Sequence, residues 1–336
     1  MNTSYTPPFT ISANAINLLT RITALTERLT ARLGQADKLT LRKVNRVKTI
    51  HSSLAIEGNT LSENEVRDMI NGKTIVAPLR EIQEVKNAIK AYELYPTLDP
   101  FNEQDLLKAH HVMMEALVER PGRYRTGGVG VLGQYGFVHI APPAHLVPTL
   151  MANLFSWLKH AKDNIIIRSC VFHYEFEFIH PFDDGNGRIG RLWQSLILGK
   201  LNPIFEHLPV ENMVYANQQT YYEAISNSSN KGDCSPFIDF MLNEILKALL
   251  TYELENSSKD VGINVGTNVG INVGINERRI LNLIAGSPQI TIREIAELSG
   301  ISTRHCERLI AGLKRQGLLM RIGPNKNGHW IIPERN

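Results

Sequence analysis

The run His180-Pro181-Phe182-Asp183-Asp184-Gly185-Asn186-Gly187-Arg188-Ile189-Gly190-Arg191 joins a titratable base, carboxylates, small residues and two arginines within twelve positions. Read physically, these are the parts of a phosphate site with a base beside it. Gly185, Asn186 and Gly187 let the backbone turn tightly and approach an anion closely, as a nest of amides does. Asp184 is a carboxylate of the kind Mg²⁺ takes together with phosphate oxygens and water. Arg188 and Arg191 are three apart, so on a helix they share a face and can fork onto neighbouring phosphates. His180 can be neutral near pH 7 and take the proton of an incoming hydroxyl, a role worth typically about 10²–10⁴ in rate. Phe182 anchors the loop in the core.

Two elements must hold this run. An apolar and aromatic stretch at 165–179 precedes it and an apolar stretch at 192–201 follows, both predicted as core helices. The run is then the loop between them, opening onto the N-terminus of the second. There the first amides lack helical partners and carry the positive end of the dipole.

The rest of the first 255 residues reads as further helices. Residues 11–33 show helical apolar spacing at Ile16, Leu19, Ile22, Leu25 and Leu29. Ser62 with Glu65 makes a capping box that opens a short helix ending at Gly72. Helices are also predicted at 78–94, 102–118, 147–162 and 236–254. The exception is 123–143, where glycine is dense and Val129, Val131, Phe137, Val138 and Ile140 predict a hairpin, either a connector or a working flap.

The motif at 180–191 resembles the signature of the Fic family, with all eight defining positions filled by His180, Phe182, Asp184, Gly185, Asn186, Gly187, Arg188 and Arg191. The resemblance implies a mostly α fold: a Fic-type helical domain with a β-hairpin flap. It implies an enzyme moving AMP from ATP to a Ser, Thr or Tyr hydroxyl of a target protein. His180 would be the general base and Asp184 the Mg²⁺ ligand. Gly185-Asn186-Gly187 would bind the α-phosphate, Arg188 and Arg191 the β and γ groups, with Ile189 and Gly190 between them in the nucleotide site. The flap around Val138, His139 and Ile140 would dock the target by strand pairing.

Upstream, Ser53-Leu54-Ala55-Ile56-Glu57-Gly58 resembles the family's inhibitory motif, placed as in members whose inhibitory helix (here near 48–57) precedes the core. Glu57 would pair with Arg191 and so displace the γ-phosphate, with Ser53 beside it; in some members this glutamate also supports removal of AMP. The family pattern further implies adenosine contacts at Tyr221 and Asn230, although an extra residue between them leaves Asn227 or Ser229 as substitutes. Relatives named Doc transfer phosphate with the nucleotide reversed; they depart at the second glycine, whereas Gly187 is present here.

Composition agrees with a globular protein: 43% hydrophobic and 21% charged residues over 336, with a net charge of +3. Cys170, Cys234 and Cys306 fit neither a disulfide frame nor a zinc spacing, which points to a reducing cytoplasm. No signal peptide and no membrane span of about 18 apolar residues is expected. His110 and His111 are adjacent on a helix and point apart, so they share no metal, and His173 and His180 share a face but are separated by seven residues of helix, about 10.5 Å.

Beyond residue 256 the character changes. A low-complexity stretch at 257–276 repeats Val-Gly-Ile-Asn and is expected to be a linker. Residues 277–336 resemble a winged helix-turn-helix, a small α+β domain: helices at 278–285, from Thr291 to 298 and from Ser302 to 316, then a two-stranded wing. Eight Arg and two Lys stand against five Glu there, a net +5 that leaves the remainder at −2. The asymmetry favours a nucleic-acid partner, with Arg304, His305, Arg308, Lys314 and Arg315 toward a major groove and Lys326 on the wing toward phosphate. Such modules also dock proteins or form homo-oligomers. A DNA-binding regulator with a nucleotide-sensing Fic domain is therefore the alternative to the enzyme.

Overall fold

A computed structural model of the chain describes residues 5–32, 35–133, 136–208, 210–260, 275–286, 288–299, 301–323 and 328–333. They form two compact units, Met1–Ala248 and Leu249–Asn336.

In the first unit, α1 (Ala13–Arg32) leads into α2 (Gln35–Ile56), then α3 (Glu63–Ile70), α4 (Leu79–Leu94), α5 (Glu103–Met114), α6 (Val147–His160) and α7 (Ile165–Ile179). The element α7 is apolar around nearly its whole circumference, and a helix without a polar face has to be enclosed. It packs along α8 (Asn186–Leu201), with α6 against α7 and α5 against α8. Beyond these, α4 covers α5, and α2 packs on α4, α8 and α9 (Val210–Ala216). Two further helices follow, α10 (Gln218–Lys231) and α11 (Ser235–Asp260), the latter running past the end of the first unit at Ala248. The capping box opening α3 forms as expected: the Ser62 hydroxyl accepts from the Glu65 amide, and the Glu65 carboxylate accepts from the Ser62 amide.

Two expectations need correction. On α1, Ile22, Leu25 and Leu29 are buried as expected, but the stripe begins with Ala15 and Leu18, whereas Ile16 is 56% exposed and Leu19 half-buried. The buried set keeps an unbroken three-four spacing, so the stripe starts at Ala15 and not at Ile16. The second core helix begins at Asn186, inside the motif, because Gly185 turns the chain at φ +88° and the helix starts at once. Helix α11 continues to Asp260 and α12 (Ile275–Gly286) starts at Ile275, so the stretch expected as a linker is helical at 257–260 and 275–276. Residues 261–274 lie outside the described residues.

The hairpin at 123–143 is present. Strand β1 (Gly130–Gly133) pairs antiparallel with β2 (Gly136–Ile140), Gly130 opposite Ile140 and Val131 opposite His139, with a bulge between Val131 and Leu132. These two strands make a sheet of their own.

The second unit contains α12, α13 (Ile292–Ser299), α14 (Thr303–Arg315), β3 (Met320–Ile322) and β4 (His329–Ile331). Ile280, Ile284, Ile295, Ile310, Leu313, Leu319 and Trp330 form its core. Thr291 and Glu294 make a second capping box, and Ser302 caps α14. No described helix is long and apolar enough to cross a membrane.

Candidate active site

His180 closes α7 in the left-handed region, φ +49°, ψ +63°, a conformation uncommon for a residue with a side chain. Its amide still donates to the Phe176 carbonyl (2.9 Å), and its own carbonyl accepts from Arg125 Nε (2.7 Å). Phe182 is fully buried and stacks on the His110 ring, centroids 3.6 Å apart and planes within 9°. The Gly122 amide donates to His110 Nδ1 (2.8 Å), so Nε2 carries the proton and donates to the Asp184 carbonyl (2.9 Å). Burial pulls the His110 pKa down to about 4, which keeps that tautomer neutral. The Asn186 side chain brackets Phe182, accepting from its amide and donating to its carbonyl, both at 2.9 Å. A Cβ on Gly185 would lie 2.7 Å from Met114 Sδ, so both the space and the positive φ require glycine.

The loop delivers the first turn of α8. Arg188 is buried and its Nη2 donates to Asp184 Oδ1 (2.8 Å), which also accepts from the Gly185 amide. Arg80 approaches the other oxygen, Asp184 Oδ2, at 3.4 Å. Among the described residues no group of three or more His, Cys, Asp or Glu could hold a metal. A single half-exposed carboxylate suits Mg²⁺ held mainly by phosphate and water, not a protein cage.

Arg191 is 1% exposed. Its Nη2 donates to the Ser53 carbonyl (3.0 Å) and to Glu57 Oε1 (2.7 Å). Both partners come from the end of α2, where Gly58 at φ +91° stops the helix and leaves Glu57 in the turn. A Cβ on Gly187 would fall 2.5 Å from Glu57 Oε1 and 2.9 Å from Arg191 Nη1. The Glu57 carboxylate therefore sits over the first turn of α8. Burial opposes the charge of Arg191, but the Glu57 charge, the neighbouring Tyr221 and the Glu57 hydrogen bond together raise its pKa above the usual arginine value.

Behind this pair lies Glu177, buried one turn before His180. Burial pushes its pKa up to about 8, with Arg191 opposing and Glu57 adding to the rise. Tyr221 is buried too, its hydroxyl 3.0 Å from His173 Nε2, while His173 Nδ1 meets Gln194 Oε1 at 2.5 Å. Burial lowers the His173 pKa to about 4. Asn230 and Asn227 are exposed on α10, and the Ser229 hydroxyl meets that of Tyr174 at 3.2 Å. The fold thus gathers His180, Asp184, Gly185 to Arg191, Ser53 and Glu57, places Tyr221 in the adjoining core, and leaves Asn230 at the surface. Val138, His139 and Ile140 lie on β2, described by their backbone alone. Spacing gave no sign of His110, Arg125 or Glu177.

In the second unit Arg304 and Arg308 are exposed on α14, four residues apart and so on one face. Lys314 sits over the Trp330 ring at 5.2 Å, with Arg321 also against it at 4.6 Å, as part of the fold of the wing. Lys326 lies outside the described residues.

Comparison with known proteins adds to this geometry. The Fic/DOC family model matches residues 100–198, and a model described as winged helix-turn-helix DNA-binding matches 275–320. A protein adenylyltransferase Fic from Nematostella vectensis is 30% identical over 205 residues, 57% of this chain and 45% of that protein. One from Drosophila mojavensis is 29% identical over 218 residues, 60% of this chain and 40% of the relative. The chain thus spans less than half the length of these curated relatives. Along its whole length it resembles the crystal structure of a Fic family protein from Desulfovibrio desulfuricans G20, at 36% identity and a TM-score of 0.70 over 99% of both chains.

Proposed function

The chain belongs to the Fic/DOC family, and from that premise we propose that it moves AMP from ATP to a hydroxyl side chain of a target protein, with Glu57 as its built-in brake. The observation that carries the reading is the place of the Glu57 carboxylate. An anion of the chain's own rests over Gly187 and on Arg191, the seat a nucleotide phosphate would take. Helix dipole, first-turn amides and a buried guanidinium all favour negative charge there.

With Glu57 displaced, the first-turn amides of α8 hold the α-phosphate, and Arg191 and Arg188 hold the groups beyond it. His180 takes the proton of the target hydroxyl as that oxygen bonds to the α-phosphorus. The bond from the α-phosphorus to the bridging oxygen breaks, and pyrophosphate leaves with the electron pair. Bound at Asp184, Mg²⁺ would supply neutralising charge on the departing phosphates. The two-stranded sheet of β1 and β2 has outer edges to which an extended target segment can add, in register with Val138, His139 and Ile140. Each tenfold of suppression by Glu57 needs about 1.4 kcal/mol. A charge-assisted bond to a guanidinium 1% exposed is strong enough for one to two such factors.

The module at 277–336 is a second reading within the same chain. Exposed Arg304 and Arg308 on α14 and the net +5 of the segment support duplex DNA as its partner. Residues 1–256 then form the enzyme and 257–276 the connection.

The test compares the unsubstituted chain, Glu57→Gly and Glu57→Gly/His180→Ala, with Mg²⁺ and ATP labelled at the α or γ phosphate. Label on protein from α-labelled ATP alone, raised by the first change and abolished by the second, is the expected result. Label from γ-labelled ATP would move the chain to the phosphotransferases. ATP binding with no label from either would favour a nucleotide-sensing regulator.

A further inference from the structure

Arg125 is 2% exposed, yet its recorded hydrogen bonds all go to backbone carbonyls. Nε donates to His180 (2.7 Å), Nη1 to Gly127 (2.8 Å), and Nη2 to Pro142 (2.5 Å) and Ile179 (3.2 Å). Its own amide donates to the Pro181 carbonyl (2.9 Å). These acceptors fall into two groups. Ile179, His180 and Pro181 are the end of α7 and the start of the motif loop. Gly127 and Pro142 flank the hairpin, just before β1 and just after β2. Taking a guanidinium out of water costs several kcal/mol unless its donors are well met, and a purely apolar staple would hold a core without that cost. What the guanidinium adds is a planar fork of five donors, able to fix several carbonyls at set angles.

His180 needs such fixing. Its left-handed backbone is uncommon for a non-glycine residue and persists only where the surroundings over-determine it. The carbonyl of that same residue takes the Nε bond.

We infer that Arg125 is a positioning residue that locks the His180 backbone and the two feet of the β1–β2 hairpin into one unit, and so sets the distance between the base and a target strand laid on the hairpin. Neither Arg191 nor the Gly187 turn is among its partners, so ATP affinity is expected to survive its replacement. The role of the unit in transfer rests on the proposed function; the mechanical coupling does not.

Two measurements test this. In the Glu57→Gly chain, Arg125→Gln and Arg125→Lys are compared for ATP affinity and for self-labelling from α-labelled ATP at saturation, per folded molecule. The expected result is ATP affinity held within about twofold while turnover falls by about 10²-fold in Arg125→Gln and less in Arg125→Lys, as a misplacement of order 1 Å would give. A mere staple would lower the melting temperature and leave turnover per folded molecule unchanged, which would overturn the assignment. Native-state hydrogen exchange on the unsubstituted chain needs neither a variant nor activity. The amides of Arg125, Ala141 and His180, each hydrogen-bonded, are expected to open together with one opening constant, within about twofold. Separate opening of Ala141 and His180 would overturn the coupling. If Glu57→Gly transfers no label, the transfer reading fails while exchange still decides the coupling.

Discussion

Arg191 and Glu57 are 134 positions apart in sequence and 2.7 Å apart in space, the one 1% exposed and the other 31% by side chain. A buried guanidinium whose anion sits in a half-open turn is a pair that a better anion can separate. Glu57→Gly is expected to raise AMP transfer by about ten- to a hundredfold at saturating ATP, which corresponds to about 1.4 to 2.7 kcal/mol. Equal rates in the two chains would remove Glu57 from the regulation of this site.

Gly187→Ala probes the same seat from the other side. Its Cβ would fall 2.5 Å from Glu57 Oε1 and 2.9 Å from Arg191 Nη1, so the carboxylate has to move. The methyl then occupies the space a phosphate needs. The variant is expected to stay inactive even when combined with Glu57→Gly, with ATP affinity reduced at least about tenfold, the consequence of losing close backbone approach. Activity restored by the second change would mean that the phosphate lies elsewhere.

His110 predicts an acid-labile loop. Its pKa of about 4 lies below the ordinary value of 6.5 because burial disfavours the charged ring. The unfolded chain therefore binds a proton between these values that the folded one refuses. Stability from this residue is whole above pH 6.5 and is lost as pH falls toward 4, by up to about 3 kcal/mol. His173 titrates in the same sense, so the difference between the chain and His110→Gln isolates the effect. The unsubstituted chain should lose more stability than His110→Gln between pH 6.5 and 4 in urea melts; parallel curves would contradict it.

The motif loop was legible in the sequence because its parts are adjacent: His180 to Arg191 brings its own turn, carboxylate and arginines within one loop and two helical turns. The capping boxes of Ser62 with Glu65 and Thr291 with Glu294 were legible for the same local reason, at least as helix starts. What escaped depends on partners far along the chain. His110 meets the Asp184 carbonyl across 74 positions and Arg125 meets that of His180 across 55, and nothing in the types around them separates a core clamp from a surface charge. Backbone carbonyls as acceptors leave no residue signature at all. On α1 only the first two positions of the stripe were off by one, because Ile16 looks like a better core residue than Ala15, and tertiary packing chose otherwise. The pairing of Glu57 with Arg191 came from resemblance, not from any physical signal that spans such a separation.

On α14, charge and packing make opposite demands on residues of the same type. Arg304 and Arg308 are exposed and share a face, whereas Lys314 lies 5.2 Å over the Trp330 ring that anchors the wing. Arg304→Ala with Arg308→Ala should weaken duplex binding across sequences and lower the salt slope by about two charges if both reach phosphate, with melting unchanged. Lys314→Ala should do the reverse, costing about 0.5–1 kcal/mol of stability through the lost cation–π contact while keeping most of the affinity. Duplex affinity measured from low to high salt, beside thermal melts of the same chains, separates the two. Duplex binding indifferent to the paired arginine change would remove Arg304 and Arg308 from the DNA contact, since the exposed face of α14 would then carry no phosphate contacts.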